Sequence, residues 1–112
     1  MNKYTNAVFG AMADKDLAAM LARIAPLIDR WYLTDLPLPR AIRAEQLQPL
    51  VASLPGRASP PVSTHASPRE ALAAAVAAAA PADRIVVFGS FFTVGGVLQD
   101  GLPKLAARHL AA

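Results

Sequence analysis

Two apolar stretches in this chain end in the same three residues, Val-Phe-Gly. The first is AVFG at residues 7–10 and the second is IVVFG at residues 85–89, and each glycine is followed by a segment that reads as helix. A strand that is apolar at every position must be covered on both faces, which is the signature of a parallel sheet with helices packed on it. This pairing of features restricts the chain to an α/β architecture more strongly than its bulk composition does.

The rest of the chain is consistent with that frame. Ala7–Phe9 forms the first strand and Gly10 ends it. Asp14 can cap the helix that follows, in which Leu17, Met20, Leu21, Ile24, Ala25 and Ile28 fall on one face at three-four spacing. Pro26 marks a kink or a fresh last turn. RWYLT, Arg30–Thr34, is rich in strand formers, and the prolines of DLPLPR then hold the backbone extended. Residues 41–54 read as a second helix whose apolar side is Ile42, Leu47, Leu50, Val51 and Leu54. PGRASPPVST is a loop by composition, with Val62 adding a short edge strand. Ser67, Pro68 and Glu70 match a capping box with proline at the first helical position. The alanine-rich helix behind it runs to about Ala80, where Pro81 ends it. Arg84–Phe88 is the third core strand. Residues from Phe91 onward read as helix, with Phe91 and Phe92 as one core and one rim residue. Residues 101–112 read as a loosely ordered tail with a last helical turn or two. The expected fold is Rossmann-like α/β, a mainly parallel sheet of three or four strands with flanking helices. So few strands, and an opening directly on a core strand, suggest the back half of a larger domain.

Several function classes are excluded or disfavoured. There is no cysteine, so disulfides and thiolate metal sites are ruled out. The net charge is +3, but the cations are scattered, whereas phosphate-backbone binding needs them clustered, so no nucleic-acid partner is expected. The apolar run in MNKYTNAVFGAMA is too short for a secretory signal and DKD follows it at once. Ala71–Ala80 is far below the roughly 20 residues that span a bilayer. A cytoplasmic protein without membrane contact is therefore expected. His65 and His109 have no metal-ligand partner nearby, and no metal site is expected. No phosphate loop, G-x-G-x-x-G or nucleophile elbow is present.

The chemistry that remains is at the strand ends. Ligands of open α/β sheets bind beyond the carboxyl ends of the strands, and Gly10, Thr34 and Gly89 would share that edge. Helix N-termini there suit a carboxylate or phosphate. Ser90 adds a hydroxyl, Lys15 a cation and Arg40 a carboxylate-matching fork. Each has a structural alternative: Ser90 as a helix cap, Lys15 as a solvated charge between two acids, Arg40 as the partner of Asp35. Trp31 and Tyr32 read as core and sheet-surface residues.

The blocks VFGAMADKD, DRWYLTDLPLPRA, AEQL and DRIVVFGSFFTVGGVL, in this order and spacing, resemble the C-terminal domain of the bifunctional folylpolyglutamate synthase/dihydrofolate synthase family, a branch of the Mur ligases. The resemblance covers about residues 7–98. It implies an enzyme that uses ATP and Mg2+ to activate a pterin- or folate-side carboxylate as an acyl phosphate, which the amino group of L-glutamate attacks. It further implies a C-terminal domain that closes over the nucleotide and positions glutamate. By the same resemblance the phosphate loop and the magnesium ligands lie in an ATP-binding part absent from this sequence, and an Asn-Pro-His motif that belongs early in the C-terminal domain does not appear in it either. The chain then reads, over residues 1–112, as a partial glutamate ligase domain, about the last quarter of such an enzyme. Alone it is expected to be inactive and to hold neither ATP nor metal. Lys15 and Ser90 match positions that resemble the family's amino-acid contacts, and Arg40 lies in its Pro-Arg block; no catalytic residue is assigned. Two other readings stay open: a non-catalytic α/β binding module, and a fragment of a peptidoglycan Mur ligase, which GSFFTVGG and RWYLT disfavour.

Overall fold

The computed structural model describes residues 4–13, 16–54, 60–89 and 110–111. Five strands form the main sheet: β1 (Thr5–Phe9), β3 (Arg30–Thr34), β5 (Val62–His65), β6 (Arg84–Phe88) and β7 (Leu110–Ala111). Their spatial order is β5-β3-β1-β6-β7, and every neighbouring pair is parallel. The four longer strands are those expected, including the edge strand at Val62. The two-residue β7 is an addition: the tail, expected to form a last helical turn or two, contributes a short strand there.

Helix α1 (Leu17–Ile24) continues into a 3-10 turn at Ala25–Leu27. Pro26 thus starts a tighter last turn, where its missing N–H costs nothing. Helix α2 is Ala44–Ala52 and α3 is Pro68–Ala78. Strand residues alternate between two cores, as the two-residue period of a strand requires. Ala7, Phe9, Trp31 and Leu33 pack with Leu17 and Leu21 of α1 and Leu47 and Val51 of α2. Val8, Tyr32, Ile85 and Val87 pack with Ala71, Leu72 and Ala75 of α3. Small side chains at Ala71 and Ala75, both fully buried, let α3 lie close against the sheet. Its N-terminus is built as the sequence indicates: Ser67 Oγ accepts the Glu70 N–H at 3.2 Å, with Pro68 at the first helical position.

Three expectations are corrected. Ala41–Ile42 is not helix but strand β4, which pairs antiparallel with β2 (Ala11–Met12) in a separate ribbon beyond the sheet edge. A backbone ladder with a distant segment outcompetes the local helical spacing. Met20 and Leu50, counted on apolar helix faces, are 38% exposed, because Leu17 and Leu21 of α1 and Leu47 and Val51 of α2 already fill the sheet-facing rows. Phe88 and Ile24, expected in the core, are half-buried at its margin. Helix α1 begins at Leu17, with Asp16 at the cap position and without a side-chain cap bond. Asp14 lies outside the described residues, as do Phe91, Phe92 and His109.

The opposite end of the sheet is fastened by two carboxylates. Asp83, buried, accepts the N–H of Tyr4 at 3.0 Å and of Ala80 at 2.9 Å. Asp29 accepts the Thr5 N–H at 2.7 Å while its own N–H donates to the Thr5 carbonyl. These clamps fix the start of β1 against β3 and β6.

Candidate functional site

Chain order leaves β1 toward β3 and β5 on one side and returns to β6 on the other. The gap between the carboxyl ends of β1 and β6 is therefore the topological switch point, where ligands of open α/β sheets bind. Both Val-Phe-Gly turns meet there. Phe9 is in register with Phe88, so Gly10 and Gly89 leave the sheet side by side. Beneath them Phe9, Trp31 and Phe88 form one aromatic cluster, with ring centroids 4.9 Å apart for Phe9–Phe88, 6.1 Å for Phe9–Trp31 and 6.2 Å for Trp31–Phe88. Phe9 and Trp31 are buried, so the turns rest on a packed base. Trp31 is the core residue it was read as. Tyr32 is buried too, in the second core, with its ring stacked on His65 at 5.9 Å.

A groove of about 260 Å³ opens at this point, lined by Ala11, Met12, Ala13, Asp16, Leu17 and Gly89, with Met20 at its rim. It carries an apolar wall from the ribbon and α1, and the positive end of α1 beside it favours an anion while the Asp16 carboxylate at its cap position opposes one.

Of the three site residues read from sequence, Lys15 and Ser90 lie outside the described residues. Asp14 is outside them too, but Ala13 before the Asp14–Lys15 pair, Asp16 after it and Gly89 before Ser90 all line the groove. Arg40 is exposed, and its carbonyl accepts the Ala13 N–H at 2.9 Å. The β2–β4 ribbon thus brings the Pro-Arg block to the first turn, a proximity with no sequence signal. The pairing of Arg40 with Asp35 is not what forms. Arg43 is the cation near Asp35, at 4.0 Å, and its Nε lies 3.2 Å from Glu45. Asp35 Oδ1 accepts the Ala44 N–H at 2.6 Å and so caps α2 from a distance in sequence.

A second, more polar groove of about 230 Å³ lies at the ends of β3 and β5, among Asp35, Arg43, Glu45, Thr64 and His65. His65 closes β5 instead of lying in a loop. Its Nε2 is 2.8 Å from Ser63 Oγ. Partial burial pushes its pKa below the usual histidine value, against a weaker upward pull from Glu70.

Among the described residues no three His, Asp or Glu side chains converge as a metal-binding group. With no phosphate loop in the sequence, the donors described do not fit a nucleotide–metal site of their own. Among the described residues, no helix is long and apolar enough to cross a membrane.

Residues 2–91 match the family described as Mur ligase, glutamate ligase domain. The dihydrofolate synthase/folylpolyglutamate synthase of Escherichia coli (strain K12) is 37% identical over 93 residues, which is 83% of this chain and 20% of that protein. Among solved structures, E. coli FolC in complex with DHPP and ADP superposes with a TM-score of 0.78 at 34% identity, covering 89% of this chain and 22% of that one. The bifunctional synthase from Yersinia pestis complexed with AMPPNP and Mn gives 0.76 at 31%, covering 88% and 22%. A bifunctional synthase with Mn, AMPPNP and L-glutamate bound gives 0.68 at 30%, again covering 88% and 22%. The chain spans about a fifth of the length of these relatives. It belongs to the Mur ligase glutamate ligase domain family, as a partial C-terminal domain of the folylpolyglutamate synthase/dihydrofolate synthase kind.

Proposed function

We propose that this chain is the C-terminal portion of an ATP-dependent, cytoplasmic folate-pathway ligase that adds L-glutamate to dihydropteroate, to a folate, or to both. The observation that carries this reading is the meeting of the two Val-Phe-Gly turns at the switch point, over a carboxylate-sized groove. Lys15 and Ser90 are the glutamate contacts, one following each turn, and Arg40 reaches the same edge from the ribbon. Held between them, glutamate presents its amine in one orientation, so that a two-body encounter becomes a local one. Closure of this segment over the active centre also keeps water from the activated carboxyl group. ATP with Mg2+ supplies that activation in the complete ligase, through residues outside this chain.

The test is a hybrid ligase in which this chain replaces the matched segment of the E. coli relative. Glutamate-dependent ADP release, above that of the relative with the segment deleted, is the expected result. A hybrid that melts cooperatively at the parent's temperature yet shows no glutamate-dependent turnover would refute the reading and favour a non-catalytic module.

A further inference from the structure

We propose that Gly89 is a positioning residue: it sets the distance between the two halves of the glutamate site. This rests on the reading of the two turns as glutamate-binding.

Gly89 has φ +122°, a conformation that L side chains rarely adopt. Conformation is the smaller part of the constraint. A Cβ at this position would lie 2.1 Å from the Gly10 carbonyl oxygen and 2.8 and 2.9 Å from Cδ1 and Cε1 of Phe9. The first obstacle is backbone and cannot rotate away. The second is a fully buried ring held between Trp31 and Phe88, so it has no space to withdraw into. Ordinary contact begins near 3.4 Å. Any side chain at 89 must therefore drive the β6 turn and the β1 turn apart by roughly 1 Å, because close-packed interiors do not absorb such a change locally.

That displacement acts where the site is built. Gly89 lines the groove together with Ala11, Met12 and Ala13 of the other turn, and it is the residue directly before Ser90. A ligand bridging the turns senses their separation, and a misplacement of about 1 Å can cost about a hundredfold. Gly89 need not touch glutamate to act in this way.

The experiment uses the 15N-labelled 112-residue chain, titrated with potassium L-glutamate, with matched potassium chloride and D-glutamate as controls. In the wild type the amides of Gly10–Ala13 and of Gly89 should shift along one isotherm with one Kd. In Gly89→Ala the β3, β5 and α3 resonances should stay dispersed while Kd rises about tenfold or more, as for the loss of one hydrogen bond to a charged group. A folded Gly89→Ala chain with the wild-type Kd would overturn the positioning role and leave the glutamate reading intact. No response of either turn in the wild type would overturn both. Should Gly89→Ala fail to fold, the wild-type titration decides: one shared isotherm supports a site spanning both turns, and separate isotherms, or a response from one turn alone, overturn it.

Discussion

Phe9 and Phe88 close adjacent strands in register, yet their replacement by alanine should cost different amounts. Phe9 is fully buried and contacts both Trp31 and Phe88, whereas Phe88 is half-buried. Removing a fully buried phenylalanine loses a transfer free energy of about 1.5–3 kcal/mol. The cavity left in a packed core raises the total to about 3–5 kcal/mol. Phe88→Ala removes a side chain that is only half-buried, so about half of that transfer free energy, roughly 1–1.5 kcal/mol, is expected. Urea unfolding followed by tryptophan fluorescence measures both, and an unchanged dependence on denaturant would show that the unfolded state is not altered. A domain this small has only about 5–15 kcal/mol in total. Phe9→Leu, at about 1–2 kcal/mol, is therefore the companion if Phe9→Ala leaves no folded baseline. Equal costs for the two alanine variants, or a larger one for Phe88, would refute the assignment of Phe9 to the base of the two turns.

Asp83→Ala removes the acceptor of two backbone N–H groups and should destabilise by about 1.5–3 kcal/mol in the same assay; a loss below about 0.5 kcal/mol would mean that β1 is not anchored there. Because burial lowers the pKa of His65, the unfolded chain binds its proton at higher pH than the folded one. Stability should therefore be intact above the ordinary histidine value of about 6.5 and decline as pH falls through it toward the lowered folded value. His65→Gln should flatten the melting temperature over that window, and an unchanged pH profile in the variant would assign the decline to other groups.

The sequence features that foretold structure were local or periodic. In β6 the apolar run Ile85–Phe88 buries Ile85 and Val87 on one face and half-buries Val86 and Phe88 on the other, and Ser67-Pro68-Glu70 builds the α3 cap within four residues. The features that could not be read were set by distant partners. Ala41–Ile42 has good helical spacing but becomes strand because Ala11–Met12 offers it a ladder. Arg43, not Arg40, approaches Asp35 because that carboxylate caps α2 at Ala44. Pro49 sits inside α2, on its exposed side, where the residues of the buried row, Leu47 and Val51, hold the helix in place. The shared Val-Phe-Gly ending pointed to two equivalent turns. That they touch, with Gly89 against Gly10, depends on the β1–β6 register, which a single strand does not encode. Thr34 lies at the edge its sequence indicates, but the polar groove with His65 follows only from the pairing of β5 with β3.

The central claim is that Ser90, directly after the second turn, holds a glutamate carboxylate, and one pair of constants tests it. Ser90→Ala is made in the hybrid ligase, and the Michaelis constants for L-glutamate and ATP are measured beside the melting temperature. Loss of one hydrogen bond to a charged group costs about 1.5–3 kcal/mol, so the glutamate constant should rise roughly ten- to a hundredfold with the ATP constant little changed. A helix cap would instead lose about 1 kcal/mol of stability. An unchanged glutamate constant together with a lowered melting temperature would contradict the account.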